Sequence, residues 1–180
     1  EDGIRDHCVT GVQTCALPIL EPLLGALGPE GGGAAATAIL TTDLVDKQIA
    51  LEAELGGRRV RVGGMAKGSG MIHPDMATML GFLSCDAGLP AAAWQALVGR
   101  AVDRSFNAIT VDGDTSTNDT FLAFAAGEGL AEEHWPALEA GVTAVAQHLA
   151  RAIARDGEGA TCLIEVLVEG SADDAGARAI

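Results

Sequence analysis

The sequence predicts an α+β domain, with helices packed on mixed sheets. Three observations carry that prediction. Over Leu89–Phe106, Trp94, Leu97, Val98, Ala101 and Val102 fall on one helical face. Over Pro136–Arg155, Leu138, Val142, Val145, Leu149 and Ile153 form a second stripe, and Gly157 supplies the stop. Gln48–Leu55 and Arg58–Val62 instead alternate apolar and polar residues on either side of Gly56–Gly57, as two strands joined by a turn do. A length of 180 residues suits one ordinary domain or a small two-layer unit. With 48% hydrophobic residues wholesale disorder is excluded, and with 3% aromatics and no Tyr the core must be built from Ala, Val, Leu and Ile.

Taken in order, the first nineteen residues, EDGIRDHCVTGVQTCALPI, do not read as protein. Val9–Ile19 matches the in-frame translation of a common sequencing adapter, and Glu1–Asp6 that of the outer part of the same indexing primer. His7 and Cys8 stand where a short index would sit. A targeting peptide would need a basic start, an apolar centre and a small-residue cleavage site, which this stretch lacks. Residues 1–19 are therefore set aside as an adapter-derived artefact. Leu20–Leu27 is short and apolar, and GPEGGGAAA after it is a connector or a close-approach turn. Ala38–Asp43, AILTTD, reads as a strand running into a site-facing loop. Gly63–Asp75, GGMAKGSGMIHPD, holds too much Gly and Pro to be one regular element. Met76–Cys85 and Phe121–Ala126 are strand candidates, with the polar loop Val111–Thr120 between them. Thr161–Glu169 is expected as a buried strand, and Ser171 with Asp174 as a capping pair opening a further helix. The chain reads as truncated at both ends.

Charge and composition narrow the function. Asp and Glu number 25 and Lys and Arg 11, a formal net charge of −14. Setting aside Glu1, Asp2, Asp6 and Arg5 leaves −12. Such a balance disfavours nucleic acid and anionic membranes, whose phosphates reward the opposite sign. Few aromatics leave little for base stacking. No apolar run approaches the ~20 residues of a spanning helix. With Cys8 and Cys15 set aside, Cys85 and Cys162 remain, far apart and without CxxC spacing. They make neither a zinc site nor a disulfide framework and are expected as two small buried hydrophobes in a reducing compartment.

Three polar constellations can carry chemistry. In KGSGMIHPDMAT (Lys67–Thr78) a threonine follows a Gly-rich, Pro-containing loop and opens an apolar strand. A strained turn beside a hydroxyl is the setting for an N→O acyl shift: the Thr78 hydroxyl attacks the carbonyl of Ala77, and water cleaves the resulting ester. Thr78 then carries a free α-amine, whose reference pKa of about 7.7–8.0 suits a general base for the adjacent hydroxyl. Spacing alone equally allows a structural Thr at a strand start. In DGDTSTND (Asp112–Asp119) the acids invite calcium, but position twelve of an EF-hand loop would be Ala123, so an Asx-rich turn network buttressing a nearby site fits better. In DGEGA (Asp156–Ala160), Glu158 between two glycines is a solvated loop carboxylate or a ligand for a substrate ammonium. GGMAKGSG is not a P-loop, because Lys67 precedes Gly68 and no helix follows. His73, His134 and His148 share no metal-ligand spacing, and His73 reads as a loop spacer near Thr78.

In this order AILTTD, GGMAKGSGMIHPDMATML, ITVDGDTSTND and RDGEGAT resemble the bifunctional ornithine acetyltransferase (glutamate N-acetyltransferase) family of arginine biosynthesis, over nearly all of Ala35–Ile180. The resemblance implies a layered αββα-type sandwich, here truncated. It implies a cytoplasmic precursor that cuts itself at Ala77–Thr78. Residues 20–77 would then be the C-terminal part of an α chain and 78–180 the N-terminal part of a β chain, the two assembling as a heterotetramer. It implies ping-pong transfer of acetyl from N-acetylornithine to glutamate through an acetyl-Thr78 ester, without a cofactor or metal; acetyl-CoA is a possible second donor. Thr41, Lys67, Thr78 and Glu158 match the substrate-binding positions; adjacent Thr42 is the weaker candidate beside Thr41. Lys67 would pair with a carboxylate or help hold the intermediate, and Glu158 would bind an ammonium.

Two departures matter. The family's oxyanion-stabilising Thr-Gly pair lies upstream, where Thr10–Gly11 belongs to the adapter translation, so the role is not carried over. Further substrate-binding residues lie beyond Ile180. The chain itself is therefore expected to be inactive and poorly stable, although its parent is active. Asp75 stands where an Asn is common in the family. The other reading of self-cleavage is an aminopeptidase with an N-terminal Ser or Thr on a related scaffold.

Overall fold

The computed structural model describes residues 22–73, 79–115 and 119–178. The chain divides into two compact units, Glu1–Ala38 and Ile39–Ile180. In the first, a helical turn at 22–26 is followed by helix α1, Gly32–Ala38, with Ala36 buried. The Thr37 hydroxyl donates to the Gly33 carbonyl one turn back, at 3.1 Å.

The second unit is built on one four-stranded sheet. Strand β1 (Lys47–Leu55) and strand β2 (Arg58–Lys67) form the expected antiparallel hairpin, with Leu55 opposite Arg58. Gly56 and Gly57 close it at φ 62° and 73°, the left-handed values a tight two-residue turn requires. Strand β3 (Leu80–Gly88) lies antiparallel to β2, and strand β4 (Thr120–Gly129) parallel to β3. The parallel pair needs a crossover, which helix α2 (Ala91–Asp103) supplies. Helix α3 (Trp135–Arg155) carries Pro136 in its first turn and ends at Asp156, just before Gly157.

Both helices pack on one face of the sheet. Leu138, Val142, Val145, Leu149 and Ile153 of α3 are buried with Val60 and Val62 of β2, Leu83 and Cys85 of β3, and Trp94 and Leu97 of α2. The Trp94 indole N–H donates to the Ala123 carbonyl at 3.1 Å, tying α2 to β4. Arg100 and Glu139 join the two helices by paired bonds of 2.8 and 2.6 Å. Alternation along β4 sends Leu122 and Phe124 to the opposite face, where they are exposed. The architecture is α+β, and the described residues supply one helical layer and one sheet layer of it.

Several expectations are corrected. β2 does not stop at Val62 but runs through Gly63 and Gly64 to Lys67. A Cβ on Gly64 would come within 3.0 Å of the Leu149 side chain and of the Phe82 carbonyl. The glycine is thus what lets α3 lie on β2. AILTTD is not a strand: α1 ends at Ala38 and residues 40–46 are loop. Thr161–Glu169 is neither strand nor buried; Ile164, Val166 and Leu167 are each about four-fifths exposed, because no strand among the described residues pairs with them. The cap of the last helix, α4 (Asp174–Arg178), is Asp173, whose carboxylate accepts from the Gly176 amide at 2.7 Å; the Ser171 hydroxyl bonds the Asp173 carbonyl instead. Cys85 is buried, and burial pushes its thiol pKa up, but Cys162 is exposed within the unpaired segment.

Candidate active site

The motif residues converge where four loops meet at the end of β2. At their centre is Lys47, the first residue of β1, with a fully buried side chain. Its ammonium donates to Asp43 Oδ1 at 2.7 Å, Asp156 Oδ2 at 2.6 Å and the Val45 carbonyl at 3.2 Å. All three donors of the ammonium are thereby used. Asp43 also accepts from the Gly68 amide at 2.7 Å and the Thr41 amide at 3.3 Å. Asp156 accepts from the Leu44 and Val45 amides at 3.0 and 3.4 Å. One buried cation thus ties together the TTD loop, the turn after β2 and the loop after α3, the segments that hold Thr41, Lys67 and Glu158.

The consequences reach those three residues. The Lys67 ammonium donates to the Thr41 hydroxyl at 3.1 Å. The Glu158 amide donates to the Ser69 carbonyl at 2.6 Å, which fixes the DGEG loop against the segment following Lys67. A Cβ on Gly70 would stand 3.0 Å from Glu158 Oε2 and 3.6 Å from Asp112 Oδ2, so Gly70 makes room for two carboxylates. Asp112 accepts from the Met71 amide at 2.6 Å, the Ile72 amide at 3.1 Å and the Asp114 amide at 3.2 Å. Met71 sits at φ 53°, an uncommon value for a residue with a side chain. Asp112 therefore holds the KGSGMI turn in shape, as the Asx-network reading expects. His73 Nδ1 lies 3.2 Å from the Thr110 hydroxyl, which itself donates to the Ile72 carbonyl at 3.0 Å.

Electrostatics follow from these contacts. Burial by itself would raise the Asp43 carboxyl, but hydrogen bonds from Lys47 and from the Gly68 and Thr41 amides hold it below the ordinary value. For Asp112 burial again works upward, and the amide donors outweigh it. Asp119 goes the other way: burial raises it, against the Met79 amide bond and the Lys67 charge. Because the folded Asp43 carboxyl is depressed, its stabilisation is complete above the unfolded-state value of about 4 and is lost as pH falls through the folded value. Acid titration followed by Trp94 and Trp135 fluorescence is expected to show falling stability below about pH 4, with a smaller fall in Asp43→Asn.

Of the residues singled out from sequence, Thr41 and Lys67 are bonded to each other, and Glu158 stands on a loop bonded to Ser69, two residues after Lys67. Ala77 and Thr78 lie outside the described residues. Asp43, Lys47 and Asp156 had no assigned role, although Asp43 and Asp156 stand within quoted motifs. A lysine four residues after Asp43 was the available signal. Among the described residues no group of three His, Cys, Asp or Glu is placed to hold a metal ion, and no helix is long and apolar enough to cross a membrane.

Comparison with known proteins bears on this arrangement. The model of the ArgJ family matches residues 7–180, a span that begins within the stretch set aside above. The chain is 69% identical over 179 residues to the arginine biosynthesis bifunctional protein ArgJ of Parasynechococcus marenigrum, covering 96% of this chain and 44% of that protein. It is 68% identical to the ArgJ of a Prochlorococcus marinus strain, over 96% of this chain and 42% of that one. The crystal structure of ArgJ from Bacillus halodurans matches at 40% identity and a TM-score of 0.43, covering 47% of this chain and 42% of that one. The chain thus spans less than half the length of these relatives.

Proposed function

The chain belongs to the ArgJ family, and on that footing we propose that the full-length protein carrying it transfers acetyl from N-acetylornithine to glutamate. The precursor cuts itself at Ala77–Thr78, and the two pieces assemble as a cytoplasmic heterotetramer. The Thr78 hydroxyl attacks the acetyl carbonyl of N-acetylornithine; the C–N bond breaks, the ornithine amine leaves with the proton, and an acetyl ester remains. The glutamate amine then attacks the ester, N-acetylglutamate leaves and the hydroxyl is restored. No cofactor is needed for either step, and acetyl-CoA is a candidate second donor to the same threonine.

The observation that supports this reading most is the Lys67–Thr41 bond together with the Glu158 loop tied to Ser69. An ammonium bonded to a hydroxyl stands on a segment whose Ser69 carbonyl anchors the loop bearing a carboxylate. A cation at the end of β2 and an anion on the adjoining loop suit an α-amino acid, with Lys67 taking its carboxylate and Glu158 its ammonium. The Lys67–Thr41 bond also favours Thr41 over Thr42.

The test is a product analysis. The full-length protein, obtained by grafting residues 20–180 into the Parasynechococcus marenigrum relative, is mixed with N-acetylornithine and glutamate. Ornithine and N-acetylglutamate are expected in equal amounts. Acetate in place of N-acetylglutamate identifies a hydrolase and refutes the proposal. The 180-residue chain alone, spanning 44% of that relative, is expected to turn over at least ~10²–10³ times more slowly, the usual loss when an oxyanion donor is missing. Residues 1–19 are set aside in this proposal as adapter-derived, so the graft begins at Leu20.

A further inference from the structure

Glu158 is exposed, and among the described residues its carboxylate takes part in no hydrogen bond or ion pair. Its place is therefore set by its backbone, which is held from two sides. The Glu158 amide donates to the Ser69 carbonyl at 2.6 Å. On the other side Gly157 lies against Val111: a Cβ on Gly157 would come within 2.9 Å of the Val111 side chain. Both supports lead to Asp112. Val111 precedes it in the chain, and the Val111 amide donates to the Ile72 carbonyl at 2.9 Å. The Asp112 side chain then closes on the turn after Ser69, one oxygen taking the Met71 amide and the other the Ile72 amide. Those two bonds hold Met71 at φ 53°, a backbone conformation that persists in a residue with a side chain only where its surroundings impose it. Gly70 stands between Ser69 and Met71, and the Glu158 and Asp112 carboxylates both border the space that its missing Cβ would take.

Resting on the reading of Glu158 as the ligand of a substrate ammonium, we propose that Asp112 is the positioning residue for Glu158. It sets the turn 69–72, the turn sets the Glu158 backbone, and Gly70 leaves the carboxylate its room. Asp112 touches no substrate, because both of its oxygens are engaged by backbone amides. Its effect on binding is nevertheless large. A charge-assisted hydrogen bond weakens steeply with distance and angle, and a carboxylate already held in place loses little freedom when the ammonium arrives. N-acetylornithine, acylated at its α-nitrogen, carries one ammonium, at the end of its side chain. Loosening the turn therefore weakens the hold on that group and leaves the rest of the donor's contacts as they were.

The test uses the full-length graft. Asp112→Asn offers one acceptor to the Met71 and Ile72 amides and turns an N–H donor toward the other, so the turn relaxes. KM for N-acetylornithine is expected to rise about tenfold, the worth of one charge-assisted bond, while kcat changes little. Gly70→Ala leaves the amide bonds intact but puts a methyl 3.0 Å from Glu158 Oε2. It is expected to act in the same way, and it carries the test if Asp112→Asn does not fold. Two measurements separate positioning from a general loss of structure. N-acetylnorvaline is the same donor without its ammonium, and its Ki as a competitor is expected to stay unchanged in both variants. Beside Glu158→Gln, neither variant is expected to raise KM further. Equal weakening of N-acetylornithine and N-acetylnorvaline, an undiminished effect beside Glu158→Gln, or an unmoved KM in the folded variants overturns the proposal. The ammonium reading of Glu158 fails on a different result, Glu158→Gln weakening the two compounds alike.

Discussion

Thr78→Ala in the full-length protein is expected to leave one uncut polypeptide with no acetyl transfer. The alanine methyl cannot attack the Ala77 carbonyl, so no ester forms and no α-amine is released. On the proposed mechanism both the nucleophile and its general base are lost with one oxygen atom. Loss of a nucleophile in a comparable acyl-transfer site costs on the order of 10⁶ in kcat, which places the variant at background. Thr78→Ser keeps the hydroxyl and is expected to cut and transfer more slowly, since the serine hydroxyl rotates more freely than that of a β-branched residue. Denaturing electrophoresis reports cleavage and ornithine release reports transfer. A Thr78→Ala protein that still divides and makes N-acetylglutamate would remove the mechanism altogether.

The second large effect is at Lys47. Lys47→Met fills a similar volume but leaves Asp43 and Asp156 without their shared cation, and the side chains of both are nearly or wholly buried. Breaking such a group from one side costs about 3–5 kcal/mol. Urea denaturation of the full-length protein measures the loss. Transfer activity is expected to fall with it, because the same cation joins the loops carrying Thr41, Lys67 and Glu158. The triple change Lys47→Met, Asp43→Asn, Asp156→Asn removes the stranded charges, and part of the stability is expected to return through non-additivity. A loss under about 1 kcal/mol in Lys47→Met would mean that the cluster is no stronger than a surface pair.

The helices α2 and α3 and the β1–β2 hairpin were legible because their signals are local: a stripe with helical period, an alternation broken by Gly56–Gly57. The misses share a cause. Thr161–Glu169 has the composition of a buried strand, but a strand exists only where a partner offers its hydrogen bonds, and composition does not supply one. Gly63–Gly64 reads as a strand breaker until Leu149 is seen to need the space.

The site divides in the same way. Thr41, Lys67, Thr78 and Glu158 stand in three of the short motifs, and it is the resemblance of those motifs to a known family, not their spacing, that made them candidates for acyl-transfer chemistry. Tertiary structure alone decided what holds the described ones together. Lys47 meets Asp156 across 109 positions, and Asp119 meets Met79 across 40. Neither pairing has a period or a spacing, since a charge or an amide is matched through space by whichever group the fold delivers to it.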